Sequence, residues 1–87
     1  MKEKIILIGC EEEVLGTWNG TWGKDMWNEM NEECEVGMEF EEWSPGEEQG
    51  DGWKIYESDG WGALVVDAGK DWRKCKKEYW KMVLKKY

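Results

Sequence analysis

Residues 50–62 read Gly50-Asp51-Gly52-Trp53-Lys54-Ile55-Tyr56-Glu57-Ser58-Asp59-Gly60-Trp61-Gly62, with Asp-Gly-Trp written twice, eight residues apart. Glycine takes the positive φ angles that tight turns require, and a neighbouring Asp bonds readily to turn backbone. The runs Trp53–Glu57 and Trp61–Asp67 are rich in aromatic and β-branched residues, so they predict two strands joined through Ser58-Asp59-Gly60. The first Asp-Gly-Trp then leaves a loop and the second closes a hairpin. On this reading the repetition is turn chemistry and not a duplicated ligand motif.

Downstream, Trp72, Cys75, Tyr79, Met82 or Val83, and Tyr87 recur three and four residues apart among lysines. Residues 69–87 are therefore expected to form an amphipathic helix, with Asp71 at its start and Lys85 and Lys86 at its end in the sense the helix dipole favours. Upstream, Ser44–Gly52, SPGEEQGDG, reads as a long turn-rich loop holding the one proline. Before it, Cys34, Val36, Met38 and Phe40 alternate with Glu35, Gly37, Glu39 and Glu41. That period predicts a half-buried strand with an acidic outer face.

Met26, Trp27 and Met30 share a helical face, and Asp25 is a candidate cap, so a short helix is expected near residues 25–33. Asn19-Gly20, between Thr17-Trp18 and Thr21-Trp22, carries the signal of a type I′ hairpin. Lys4–Cys10, KIILIGC, reads as a buried strand ended by the charged turn Glu11–Glu13. The expected fold is α+β: an antiparallel sheet of four to six strands with one C-terminal helix on a face. Residues 1–87 are read as one domain, an acidic β-rich body over 1–69 and a basic helix over 70–87.

The charge supports this division. Residues 1–69 carry 18 acidic and 4 basic side chains, net −14, whereas residues 70–87 carry 2 acidic and 8 basic, net +6. Nucleic acid or anionic lipid is disfavoured as a partner for the whole surface, which is net −8. The eight Trp exceed what a core of this size readily encloses, so at least two or three are expected to be partly exposed.

Catalytic and cofactor chemistry finds little material. The chain has no His, and its two serines, Ser44 and Ser58, fall in expected loops with no base suggested. The three cysteines, Cys10, Cys34 and Cys75, are odd in number and lack CxxC spacing, which argues against a disulfide framework or a zinc site. The segment GTWNGTWGK lacks the GK[ST] ending of a phosphate loop, and Glu47–Gly52 lacks EF-hand ligand spacing. No enzyme activity, metal or cofactor is expected. The apolar run Ile5–Ile8 is too short for a signal peptide or a spanning helix, so a cytoplasmic location is expected, the host cytoplasm if the protein is viral.

The acidic body carries the functional expectation. Glu35, Glu39 and Glu41 are read as one strand face, Glu42, Glu47, Glu48 and Asp51 as its continuation through the loop, and Glu57 and Asp59 as joining from the next hairpin. Alternate residues of a strand lie about 6.5 to 7 Å apart, a spacing similar to that of phosphates along a nucleic-acid strand. Together with Trp53 and Trp61, expected near a common sheet end, this face would occupy a basic, nucleic-acid-handling protein and inhibit it. In size and charge the chain is similar to small acidic bacteriophage antagonists of host nucleases, including anti-CRISPR and anti-restriction proteins; the likeness is compositional and carries no residue across. Two alternatives stand beside it: a Trp platform for a carbohydrate or small ligand, and a structural subunit of a complex. The Lys-rich helix resembles membrane-surface or calmodulin-target segments, but its apolar stripe reads most simply as a lid on the core.

Overall fold

The computed structural model describes residues 4–50 and 52–85, and side chains through Met82. Its elements run β1 (Lys4–Ile8), β2 (Val14–Asn19), α1 (Lys24–Cys34), a 3₁₀ turn (Phe40–Glu42), β3 (Glu47–Gly50), β4 (Trp53–Glu57), β5 (Leu64–Asp67) and α2 (Trp72–Lys85). The five strands form one sheet in the order β2-β1-β5-β4-β3, with every neighbouring pair antiparallel. The expected α+β fold is the observed one.

The sheet divides the interior into two cores because successive strand residues point to opposite faces. In β1, Ile5 and Leu7 pack with Val65 of β5 beneath α1, whose Trp27 and Met30 are fully buried. Ile6 and Ile8 face the other way, joining Trp53, Ile55 and Val66 beneath Cys75 and Tyr79 of α2. A strand covered on both faces reads as a continuous apolar run, as β1 does. On α2, Trp72 and Met82 flank the buried Cys75 and Tyr79, so the expected stripe faces the sheet; the Val83 side chain and Tyr87 lie outside the described residues.

Glycine serves the turns where the sequence placed them. Gly52 and Gly60 have φ of 78° and 76°, so both copies of Asp-Gly put glycine in the left-handed region. Gly69, with φ 65°, carries the chain from β5 to α2; a Cβ there would lie 2.6 Å from the Gly52 carbonyl oxygen. Its N–H donates to Asp67 Oδ1 at 3.0 Å.

Four local expectations are corrected. Residues 34–40 form no strand: Cys34 ends α1, and Glu35, with φ 51°, reverses the chain. Val36 and Met38 do turn inward, but what holds them is side-chain chemistry. The Trp27 indole N–H and Asn31 Nδ2 both donate to the Met38 carbonyl at 3.0 Å, and Gly37 N–H donates to Asn31 Oδ1 at 2.8 Å. Alternating burial thus arises without a ladder partner. Asn19-Gly20 is no hairpin either, because β2 pairs with β1, Trp18 opposite Ile5, and leads into α1. The N-cap of that helix is Gly23, and Asp25 lies within its first turn.

The fourth correction is β3, which forms inside the stretch read as loop. Glu47 pairs with Ile55 and Glu48 with Lys54. Glu and Gly are poor strand formers, and β4 supplies the ladder they bond to. The resulting edge carries exposed charges, which discourage further strand addition.

A candidate acidic and aromatic interface

Two adjoining depressions lie at the α1 side of the sheet, and the segment 40–44 builds both. After Met38 the chain makes the 3₁₀ turn, closed by a capping box in which Glu39 N–H donates to Glu42 Oε2 at 2.7 Å. It then runs beside the end of β4. Ser44 N–H donates to the Glu57 carbonyl at 2.8 Å, Glu57 N–H to Ser44 Oγ at 2.9 Å, and Asp59 N–H to the Glu42 carbonyl at 3.0 Å. Ser58 Oγ accepts from Ala63 N–H and donates to the Ala63 carbonyl, both at 3.0 Å, which closes the loop bearing Trp61. The two serines therefore organise backbone.

These bonds bring acidic side chains from separate segments together. Glu41, Glu42, Glu57 and Asp59 line a depression of about 400 Å³ with Trp43, Ser44 and Ser58. All four carboxylate residues are exposed. Glu41 faces Lys24 Nζ at 3.5 Å. Its carboxyl is held below the usual carboxylate range, first by a hydrogen bond to its own backbone amide and then by the Lys24 charge.

The neighbouring depression, about 490 Å³, is lined by Trp22, Phe40, Trp43, Tyr56, Pro45, Ser44, Lys24 and Glu41. Trp22 is its hub, with ring centroids 5.0 Å from Tyr56, 5.6 Å from Phe40 and 5.8 Å from Trp43. Trp43 also meets Trp27 edge-on at 5.0 Å. Glu41, Trp43 and Ser44 line both depressions, so an aromatic groove and an acidic one share a wall. Trp43 is 8% exposed, and its indole N–H makes no hydrogen bond among the described residues.

The remaining expected site residues are dispersed. Glu35 sits at the left-handed end of α1 and Glu39 caps the 3₁₀ turn, so Glu35, Glu39 and Glu41 form no row on a strand face. Glu47 and Glu48 are exposed on the edge strand β3, and Asp51 lies outside the described residues. The two tryptophans of the repeat part company. Trp53 begins β4, is 2% exposed and packs under α2; Trp61, 45% exposed, stands in the loop at the other end of that strand. Trp53 is thus a core residue, closed to a partner, and it shares no sheet end with Trp61.

Sequence reasoning missed the aromatic groove because its rings come from three separate segments: Trp22 ahead of α1, Phe40 and Trp43 at the 3₁₀ turn, and Tyr56 on β4. Only Tyr56 carried a usable signal: strand alternation sets it on the face opposite Trp53 and Ile55.

The cysteines are unbridged, with Cys10 exposed and Cys75 buried. Burial, with a contribution from Asp67, pushes the Cys75 thiol up to about 12. Burial and Glu33 raise Cys34 as well. Among the described residues no group of three His, Cys, Asp or Glu is placed to hold a metal ion, and no helix is long and apolar enough to cross a membrane. No family model matches the chain, and neither a curated protein nor a solved structure matches it.

Proposed function

We propose that this protein is a non-enzymatic binding protein that docks its acidic and aromatic face onto a basic, nucleic-acid-handling protein and blocks it. What supports the reading is the shared wall: exposed Glu41, Glu42, Glu57 and Asp59 stand beside a groove centred on Trp22, Phe40 and Tyr56. Protein interfaces concentrate affinity in aromatic anchors and use surrounding charge for orientation and association rate. A lysine- or arginine-bearing segment would set its cations against the carboxylates and an apolar side chain in the groove. Trp61 extends the exposed surface on the hairpin loop that also carries Asp59. Within this reading the protein works in the compartment of its target, which we place in the cytoplasm, and it is an antagonist of the kind that would act against a defence nuclease.

The test is capture of partners from a lysate on the immobilised protein, eluted in steps of rising salt, with nucleic acid as competitor. The expected partner leaves at moderate salt, is displaced by DNA or RNA, and is not retained by the variant combining Glu41→Gln, Glu57→Gln and Asp59→Asn. Retention that is indifferent to salt and to these substitutions refutes the proposal.

A further inference from the structure

The outer face of α2 is a second surface, built on the opposite principle. Arg73, Lys76, Lys77 and Lys81 surround Trp80 in a depression of about 550 Å³. Their positions, spaced three, four, seven and eight apart, share one side of a helix. Trp80 is 46% exposed and meets Tyr79 edge-on at 5.7 Å. The lysine and arginine stems and the indole supply an apolar floor, and the cationic heads form its rim.

The acidic body does not neutralise this face. Among the described residues, Arg73, Lys76 and Lys77 make no ion pair with it, and Lys81 pairs only within its own helix, with Glu78 at 3.7 Å. The reason is topological. Cys75 and Tyr79 of α2 pack on one side of the sheet, whereas Trp43, Phe40 and Trp22 pack on the other. A single molecule therefore cannot bring its basic face onto its acidic one.

We propose that the Trp80 face of α2 docks on the acidic and aromatic face of a second copy of this chain. Each side supplies what the other lacks. Four cations, Arg73, Lys76, Lys77 and Lys81, meet four carboxylates, Glu41, Glu42, Glu57 and Asp59, and the half-exposed Trp80 ring is covered by the aromatic wall that carries Trp22 and Tyr56. Contact of like face with like face would set four cations against four, or four carboxylates against four. The association is therefore heterologous, head to tail. Because the two faces lie on opposite sides of the sheet, a docked pair leaves one face of each kind unfilled, and assembly continues beyond two. A bilayer fits this face less well, since among the described residues the apolar stripe of α2 packs on the core and Trp80 is the one large hydrophobic side chain of that helix left exposed to insert. The inference rests on the binding face proposed above, and it adds a competitor: a partner on that face displaces the neighbouring copy.

Sedimentation velocity on the full chain tests this. At about 0.02 M salt, where screening is weak, the weight-average mass is expected to rise with protein concentration above the 10.3 kDa of one chain. At about 0.5 M salt it should return to that value, with association weakened by about tenfold or more. Lys76→Glu with Lys77→Glu, and separately Glu57→Lys with Asp59→Lys, should each stay monomeric while keeping the wild-type circular dichroism. Mixed, the two variants should form a species of two chains and no larger, because each retains one working face. Wild-type protein that remains monomeric at low salt, or a mixture that does not pair, overturns the proposal. Cosedimentation with anionic vesicles or binding of a fluorescent oligonucleotide, with no self-association, overturns it in favour of that occupant. The lysine variant also separates the two readings, since it should still capture the basic partner.

Discussion

Trp27 and Trp53 are both buried, in opposite cores, and differ in one bond. The Trp27 N–H donates to the Met38 carbonyl at 3.0 Å, whereas the Trp53 N–H has no partner among the described residues. Replacing either with Phe removes similar ring surface, so the contrast isolates the N–H. At position 27 the loss is one net hydrogen bond, about 0.5 to 1.5 kcal/mol, and the Met38 carbonyl is not orphaned because Asn31 still bonds it. At position 53 the change instead relieves a buried unpaired donor, about 1 to 3 kcal/mol. Trp27→Phe should therefore be more destabilising than Trp53→Phe by about 1.5 to 4.5 kcal/mol. A chain of this length holds about 4 to 13 kcal/mol in all, so both variants should fold. Urea titrations followed by far-ultraviolet circular dichroism, with unchanged m-values, measure the gap. Equal losses, or a larger loss at position 53, would show that the indole N–H is not what separates the two sites.

Two further outcomes rest on the ionisable groups. With its pKa at about 12, Cys75 carries about one part in ten thousand of thiolate at pH 8, and burial blocks access besides. A thiol reagent should modify exposed Cys10 first and reach Cys75 only when urea opens the fold; mass spectrometry that finds Cys75 labelled first would contradict its placement. Glu41 provides the second. Because its folded pKa is depressed, its contribution to stability is present above the ordinary carboxylate range and is lost as pH falls through the lowered value. Lys24→Met should raise the Glu41 midpoint in a side-chain NMR titration only part of the way, since the bond to its own amide is the larger cause. A midpoint that does not move would remove Lys24 as a cause, and one restored to the ordinary range would reverse the order of the two.

The hairpin of β4 and β5, the buried β1 and the stripe of α2 were legible in the sequence because each follows from local periodicity and from glycines whose turns need positive φ. Residues 34–40 were not, because alternation reports which side chains turn inward and says nothing about what the backbone bonds to. In this chain that partner is Asn31 and an indole N–H, supplied from α1. Edge strand β3 was hidden for a related reason: its sequence favours a loop, and β4 makes it a strand.

Local pattern and composition suffice for the α+β class, for the charge boundary near residue 69 and for the turns at Gly52 and Gly60. Long-range packing sets where the charge and the rings meet. Two identical tripeptides send one Trp beneath α2 and leave the other 45% exposed, because strand position and the covering helix, not neighbouring residues, set burial. Glu41 and Glu42 lie far along the chain from Glu57 and Asp59, yet share a depression because Ser44 and the backbone of Glu42 bond the end of β4. The basic and acidic faces stand apart because a sheet buried on both sides places its two helices in separate layers.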